Sequence, residues 1–446
     1  MRETLKASWN QRHRLGQTRE DAERGVFNPH HSNLPLTLHG VLDLEALNRA
    51  WHALQIRHPV LLSGFDTDAA LWHVGAAHPG DMLRLPAAAT EEDDLAAVRA
   101  AVAEPFDLVD GPVARLVVLP RSSQETYFAL VTEHLVSDGW SLNVLIRDLA
   151  ALYGQETGAP VPELPPIELT FQEFVRRQNT TVASASGRSA LSRLAERLDG
   201  IGAIPAMPIN GFTGATGIRY ECRAGLTRRL PKQLCQDLAA AARPLRMTGL
   251  NLMHAALHQA LFKLSDRPAV ATTLSTANRE LPGLINTAGW FASKTVLASE
   301  PGRYPTASEY LRHFREQVLV TLDDSHLPWP ALIDLMYPQA LGRQSIVPYV
   351  TFNAQPIAMR RSVGEIDFPG LVTSPLKVSV GWHDASIATF WDEDEDGITV
   401  AVMHKTDWYT TADVLALWDT VELQLHRWAE ELRPSPGVPA PTVRNH

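Results

Sequence analysis

The sequence EHLVSDGWS, residues 133–141, joins an apolar strand pattern to a helical pattern. TYFALVTE (126–133) precedes it, and apolar residues then recur at helical spacing to about residue 153, where Gly154 is expected to end the helix. A histidine at a strand end, close to a helix N-terminus, is well placed to face a cleft, because rigid elements hold it while its side chain reaches solvent. The stretch therefore predicts a strand, a short loop and a helix with a candidate site at the loop.

Glu133 and His134 should point to opposite sides of the strand, because successive strand residues alternate between its faces. If His134 faces a substrate, Glu133 points inward, and a buried carboxylate needs a basic partner, several hydrogen-bond donors or a proton. A second interpretation stays open on spacing alone: Asp138 is only the N-cap of the helix, and His134 is a satisfied core histidine. His-x-x-x-Asp is a common spacing, so it does not decide between the two.

The composition of the chain indicates a large globular protein. Its 446 residues include Lys+Arg 40 against Asp+Glu 50, a formal charge of −10, and are 45% hydrophobic. This composition excludes intrinsic disorder as the main state. Because a single core stops growing at roughly 250–300 residues, we expect two lobes. The acidic balance disfavours a general binder of phosphate backbones, and no nucleic-acid partner is expected.

Cysteine usage and the N-terminal sequence indicate the compartment. Two cysteines give neither a disulfide framework nor a CxxC zinc pair, which favours a reduced, intracellular setting. The N-terminus is too polar for a signal peptide, and no run approaches the roughly 20 apolar residues of a membrane helix. We therefore expect a soluble cytoplasmic protein without a membrane partner.

Strand and helix patterns alternate along the chain, which favours an α/β or α+β architecture. The Pro-rich stretch QETGAPVPELPPIEL (155–169) interrupts the pattern, so we place the lobe connection shortly after it. The predicted lobes are residues 1–175 and 176–435, followed by a disordered tail at 436–446. ASIATFW and GITVAVMH flank the acidic DEDED (392–396), a pattern typical of a hairpin with a solvated turn.

Other candidate sites fail on their sequence context. His30 and His31 lie in a Pro-containing loop without a second ligand pair at metal spacing, so we interpret them as surface histidines and expect no metal. SPLK (374–377) matches Ser-x-x-Lys formally, but its proline breaks the helix start that this motif requires. The sequence contains no GxSxG, Walker-type phosphate loop or GxGxxG.

The segment EHLVSDG resembles the HHxxxDG motif of condensation domains from nonribosomal peptide synthetases and their stand-alone acyltransferase relatives. Further blocks are similar to conserved segments of the same family and occur in the family's order. They are ASWNQRHRL (7–15) with Ser8, Gln11 and Arg12, LHGVLDLEALNRAWHALQIRHPVLLSGF (38–65), EPFDLVDGPVARLVVL (104–119), LSTANRELPGLINTAGWF (274–291) and VPYVTFNAQ (347–355). Each block alone is a weak match, whereas the ordered set favours the family over the interpretation of His134 as a core residue.

The resemblance implies an α/β (α+β) fold of two lobes, each like a chloramphenicol acetyltransferase subunit, arranged as a V-shaped pseudo-dimer. The motif would lie at the floor of a tunnel between the lobes. In the family, a carrier protein delivers an acyl or aminoacyl thioester on its phosphopantetheine arm, and an amine or alcohol acceptor enters from the other side. The protein itself would bind no cofactor. Because 446 residues match one such domain, we expect a free-standing monomer of secondary metabolism that meets its carrier in trans.

The resemblance also assigns roles to residues of the motif. His134, as the motif's second histidine, would be the base or hydrogen-bond partner of the attacking nucleophile. Asp138 would be structural and would pair with Arg279, and Gly139 would let the backbone turn closely beside the substrate. The candidates for lining the tunnel are Trp140, Ser141 and Asn353.

The chemistry of acyl transfer fits the role given to His134. A thioester needs little activation of its leaving group, whereas an amine is largely protonated near neutral pH and an alcohol is a poor nucleophile. A neutral imidazole within hydrogen-bond reach can accept the proton as the tetrahedral intermediate forms, which typically contributes ~10²–10⁴-fold. The ordinary pKa of histidine suits this task.

Glu133 stands where the family has its first motif histidine. That position is described as structural, so the base is kept, and we predict a buried Glu133 paired with a basic group or backbone donors. Relatives that recruit partner enzymes without condensing lose more of the motif, including its DG, whereas His134, Asp138 and Gly139 all remain here. We therefore expect an active acyltransferase. The alternatives are a catalytically silent docking domain and an acyltransferase that uses coenzyme A.

Overall fold

Strands and helices alternate through most of the chain, as the sequence predicts. The computed structural model describes residues 3–199, 222–265, 267–343, 349–355, 367–378, 385–406 and 408–432. The tail predicted at 436–446 lies outside the described residues. In this part of the chain no helix is both long enough and apolar enough to cross a membrane.

The first half of the chain supplies the elements that carry the motif. Its helices are α1 (Trp9–Glu23), α2 (Leu44–Arg57), α3 (Glu91–Ala103), α4 (Gly139–Thr157), α5 (Phe171–Ala183) and α6 (Ala185–Asp199). Its strands are β1 (Glu3–Lys6), β2 (His31–His39), β3 (Gly64–Asp66), β4 (Leu71–Val74), β5 (Leu83–Arg84), β6 (Ala114–Pro120) and β7 (Glu125–Glu133). Asp43 caps α2 by accepting the backbone N–H groups of Glu45 and Ala46, as Asp residues commonly do at a helix start.

The second half of the chain has the same mixed character. Its strands are β8 (Cys222–Pro231), β9 (Val270–Thr276), β10 (Ser293–Ser299), β11 (Val350–Gln355), β12 (Val372–Pro375), β13 (Ile387–Asp394) and β14 (Gly397–Lys405). Its helices are α7 (Lys232–Ala242), α8 (Gly249–Lys263), α9 (Ala307–Asp323), α10 (Trp329–Met336) and α11 (Thr411–Glu431). The predicted acidic hairpin is confirmed, because β13 pairs antiparallel with β14.

Each half has its own main sheet and its own apolar core, which gives the molecule two lobes. In the first lobe the strand order is β12-β2-β7-β6-β5, and in the second it is β10-β9-β11-β13-β14-β8. A small third sheet has the order β1-β4-β3. The motif strand β7 lies inside the first sheet, between β2 and β6, so its end is held from both sides.

Two segments of the second half cross into the first lobe. Strand β12 adds to the edge of the first sheet by pairing antiparallel with β2. The connection between β9 and β10, residues 277–292, places Leu284, Ala288 and Phe291 in the first lobe's apolar core. These crossings are not visible in the sequence pattern, and the lobe boundary near residue 175 stays a prediction.

Helix α4 does not end at Gly154, contrary to the sequence-based expectation. It continues to Thr157, and Gly158 then adopts the left-handed conformation with φ 73°, which glycine does without steric cost. Gly154 is needed for packing instead, because an added Cβ would collide with the side chains of Val161 and Pro369. The expected end of the helix was therefore one turn too early.

Two buried histidines in the second lobe make its stability depend on pH. His254 and His258 lie one turn apart on α8, and both reach the hydroxyl of Thr272, at 2.7 and 2.8 Å. Burial lowers the pKa of His258 from 6.5 to about 3, so the folded protein keeps this ring neutral. Below pH 6.5 this histidine binds a proton in the unfolded chain but stays neutral in the folded chain. The free energy of unfolding therefore falls as the pH drops.

Wild-type protein should lose about 2 kcal/mol of unfolding free energy between pH 7 and pH 5 from His258 alone. Urea unfolding at the two pH values measures this loss. The variant His258→Gln has no proton to gain at this position, so it should lose about 2 kcal/mol less over the same interval. Equal losses in both proteins would contradict the expected protonation.

Candidate active site

A cavity of about 420 Å³ lies where the two lobes meet, and the motif forms part of its wall. The first lobe contributes His134 and Trp140, and the second lobe contributes Lys294 and Asn353. Trp140 is fixed by a hydrogen bond of 3.0 Å from its indole N–H to the carbonyl of Ile285. Both Trp140 and Asn353 thus lie where the sequence analysis expected lining residues, and the volume suits a small-molecule substrate.

His134 follows β7 directly, and its backbone N–H donates to the His30 carbonyl at 2.8 Å. Its ring packs against Trp290, with ring centroids 4.4 Å apart. Burial lowers the pKa of His134; the positive charge of Lys294 acts in the same direction, whereas the backbone around the ring and the charge of Asp138 oppose it. The imidazole is therefore neutral near pH 7, which is the form that a general base needs.

Asp138 caps α4 and accepts hydrogen bonds from both lobes. Its Oδ1 accepts from the backbone N–H of Ser141 at 2.8 Å and lies 3.3 Å from the guanidinium of Arg279. Its Oδ2 accepts from the backbone N–H groups of Phe291 and Ala292, at 3.0 and 2.9 Å. Burial by itself would raise the pKa of Asp138, but the charge of Arg279 and the hydrogen bonds outweigh it and lower the pKa. Asp138 is thus an ionised carboxylate that ties the two lobes together.

Arg279 is the second-lobe partner in this contact, and the predicted Asp138–Arg279 ion pair is confirmed. The guanidinium also donates to the carbonyls of Leu284 and Thr287, at 2.6 and 2.8 Å, and to the Ser141 hydroxyl at 2.8 Å. The prediction that Ser141 lines the tunnel is wrong, because its side chain is fully buried. Its hydroxyl is used in this network instead, since Ser141 follows the N-cap and turns inward beneath the loop.

Gly139 borders the cavity at the first residue of α4. Its φ is not in the left-handed region, so a tight turn does not explain the glycine. An added Cβ would have no described atom within 4 Å. The space beside Gly139 is therefore open, and because Gly139 borders the cavity we expect the glycine to preserve room there.

The variant Gly139→Ala should fold normally and bind substrate less well. We expect Tm to change by less than about 2 °C, because the new methyl meets no protein atom, while kcat/KM falls about tenfold because it occupies the substrate's space. Thermal unfolding and steady-state kinetics measure the two effects. A large loss of Tm with unchanged kinetics would mean that the glycine serves the backbone.

Glu133 is buried and does not border the cavity, which confirms the prediction that it points inward. Its Oε1 lies 3.4 Å from Nε of Arg14, and its Oε2 lies 3.7 Å from Nε2 of His31. Burial raises the pKa of Glu133 to about 7, although the charge of Arg14 acts in the opposite direction. The predicted basic partner is thus Arg14, on α1.

The interpretation of His30 and His31 as surface histidines is wrong. His30 is buried, and both residues border the cavity. The sheet explains the difference, because β2 begins at His31 in register with Glu133 and thus brings the pair beside the motif. Burial lowers the pKa of His31 to about 4, so this ring is neutral at physiological pH.

Helix α1 supplies a polar wall of the cavity that the sequence analysis missed. Asn10, His13 and Gln17 border the cavity, and their spacing places them on one face of the helix. These polar residues at helical spacing were the sequence signal that could have predicted this wall of the cavity. Lys294 was also missed, because its position depends on how β10 is placed between the lobes. Within the described residues, no three His, Cys, Asp or Glu side chains are grouped as metal ligands.

Comparisons with known proteins agree with this geometry. A family model described as Condensation domain matches residues 25–433. Chondramide synthase cmdD from Chondromyces crocatus is 26% identical over 401 residues, which cover 86% of this chain but only 10% of that synthase. The chain therefore spans a small part of this much longer relative.

Solved structures share the fold over nearly the whole chain. The X-domain from teicoplanin biosynthesis superimposes with a TM-score of 0.82 at 23% identity, covering 97% of this chain and 96% of that one. It has also been solved in a complex with OxyB. The condensation domain of the monacolin K polyketide synthase MokA gives a TM-score of 0.77 at 16% identity, covering 97% and 98%. These likenesses confirm the α/β (α+β) fold and its two-lobed pseudo-dimer architecture.

Proposed function

The chain belongs to the condensation-domain family, and from that premise we propose that it joins an acyl or aminoacyl group to an amine or alcohol acceptor. The donor is a thioester on the phosphopantetheine arm of a carrier protein, and the product belongs to nonribosomal peptide or polyketide metabolism. The protein supplies residues and a cavity and needs no bound cofactor of its own. His134 is the proposed catalytic base, and Asp138, Arg279, Gly139 and Glu133 support the site.

One observation carries the proposal: a neutral histidine borders a cavity between two lobes, and an ion pair fixes the loop that follows it. The Nδ1 atom of His134 is buried, so we assign the proton transfer to Nε2. The Asp138–Arg279 contact holds the loop that follows His134 against the second lobe. A base held in this way loses little entropy when the substrates align.

The reaction balances with His134 as the only proton carrier. The acceptor's nitrogen or oxygen attacks the thioester carbonyl while Nε2 of His134 takes the acceptor's proton. The tetrahedral intermediate then collapses, the carbon–sulfur bond breaks, and the leaving thiolate takes the proton back from the imidazolium. The free carrier thiol and an amide or ester are the products.

A docking role is the second candidate, and a specific likeness favours it. The X-domain, which has been solved in a complex with OxyB, resembles this chain over almost its full length. A chain with that role would bind a carrier-bound intermediate for another enzyme and would not turn it over. The neutral His134 that borders the cavity favours the catalytic role, since docking needs no base.

The test uses candidate carrier proteins loaded with different acyl groups and offered with amines and alcohols. Mass spectrometry follows the condensed product and the free carrier thiol. We expect product from at least one donor and acceptor pair, and acyl-coenzyme A in place of the loaded carrier should give none. If acyl-coenzyme A gave product and no loaded carrier did, the donor would be a coenzyme A thioester and the proposed carrier-bound donor would be wrong. Carrier binding without product from any pair would support docking and contradict transfer.

A further inference from the structure

Glu133 and Arg14 connect two elements beside the cavity through the protein interior. Glu133 ends β7, next to His134, whereas Arg14 lies on α1, the helix whose Asn10 and Gln17 border the cavity. The distance between Oε1 of Glu133 and Nε of Arg14 is 3.4 Å, and each side chain is at most 4% exposed. The pair thus joins the strand end next to the base to a helix that also borders the cavity.

The burial of this pair makes its two partners dependent on each other. Removing one partner leaves the other buried polar group without its contact in a low-dielectric interior, whereas replacing both with apolar groups of similar volume is often tolerated. Burial lowers the pKa of Arg14, and the charges of Glu133 and of Asp21, which lies on the same helix as Arg14, oppose this shift. Asp21 belongs to α1 itself, so Glu133 is the acid that ties Arg14 to the strand.

The second carboxyl oxygen of Glu133, Oε2, faces a ring nitrogen of His31, which can accept a hydrogen bond from a protonated Glu133. Nδ1 of His31 lies 2.8 Å from the carbonyl of Val102, which can only accept, so Nδ1 carries the hydrogen. Nε2 of this neutral ring then presents a lone pair to Oε2 of Glu133, 3.7 Å away. A neutral carboxyl can direct its proton toward that lone pair while Oε1 stays toward Arg14. A glutamine amide in the same orientation would reproduce both contacts.

We propose that Glu133, acting through Arg14, is a positioning residue that fixes the cavity-bordering face of α1 relative to His134. Other contacts guide the same helix: Gln11 donates to the Leu135 carbonyl at 2.8 Å, and Asn10 donates to the Ala292 carbonyl at 3.0 Å. These hydrogen bonds hold the N-terminal turn of α1, whereas Arg14 holds the helix one turn further on. The inference rests on the proposed function, because it concerns the geometry of the acyl-transfer site.

The test is a double-mutant cycle with Glu133→Met, Arg14→Met and the double variant, with Glu133→Gln as the conservative replacement. Hydrogen exchange of the α1 amides and the kcat and KM of acyl transfer are measured on the full chain. The matched control is the exposed pair Arg427 and Glu431 on α11, 2.6 Å apart, replaced by Arg427→Met and Glu431→Gln.

We expect each single Met variant to exchange its α1 amides at least about tenfold faster and to lose about tenfold in kcat, with KM for the loaded carrier unchanged. The double variant should lose less than the two single losses combined, Glu133→Gln should stay within about threefold of wild type, and the control pair should change neither quantity. Losses that simply add, or unchanged exchange in α1, would overturn the proposal. The exchange cycle needs no turnover, so it separates failure of this inference from failure of the proposed acyl transfer.

Discussion

Replacing His134 with glutamine should slow acyl transfer by about 10²–10⁴-fold and leave the affinity for the loaded carrier unchanged. Glutamine keeps a polar side chain of similar reach against Trp290, whose ring centroid lies 4.4 Å from that of His134. It cannot accept a proton near pH 7, so only the step that deprotonates the acceptor should suffer. Steady-state kinetics and a carrier-binding titration measure the two quantities separately.

A matched control and the pH profile sharpen this expectation. His52→Gln changes a half-exposed histidine on α2, whose partner is Asp81, and should leave the rate as in wild type. Because burial lowers the pKa of His134, the neutral base persists below pH 6.5. With an alcohol acceptor, which does not titrate in this range, kcat/KM of wild type should stay level through that value and fall only in stronger acid. Equal rates for wild type and His134→Gln would contradict the role of base.

Asp138→Ala should lower the free energy of unfolding by about 3–5 kcal/mol and abolish transfer. The variant removes the N-cap of α4 and leaves the guanidinium of Arg279 buried beside the vacated space. It also removes the acceptor of the Phe291 and Ala292 N–H groups, so two buried donors lose their partner. The loss combines an unpaired charge with unsatisfied hydrogen bonds, which explains why it should be large.

Asp43→Ala is the matched control for this variant. Asp43 also caps a helix, accepting from Glu45 and Ala46 at 3.0 Å each, but it lies at the surface. Its removal should cost only about 1 kcal/mol, the usual value of an N-cap. Urea unfolding measures both variants. If the two alanine variants lost equal stability, Asp138 would be an ordinary cap and the ion pair with Arg279 would contribute nothing.

The fold and the centre of the site could be predicted because both depend on short segments. The strand and helix around residues 133–141 follow from local apolar patterns, and the ordered blocks identified the family that residues 25–433 match. The pairing of Asp138 with Arg279 came from the resemblance alone. The burial of Glu133 followed from strand alternation, since it neighbours a residue that faces the cavity.

The wrong predictions share a physical cause, which is that long-range packing decided them. His30 and His31 have the sequence of a surface loop, yet pairing between β2 and β7 brings them beside the motif. Ser141 follows the N-cap of a helix, yet the crossing segment 277–292 covers it. Gly154 looks like a helix stop, whereas its role is to let Val161 and Pro369 approach the helix.

The most direct measurement is the acyl occupancy of a loaded carrier, followed by intact-protein mass spectrometry after wild-type protein and an acceptor are added. Acyl transfer predicts that the carrier loses its acyl group as the condensed product appears, and that His134→Gln slows both changes by the same factor of about 10²–10⁴. The contradicting result is a carrier that binds the wild-type protein and keeps its acyl group with every acceptor that is offered.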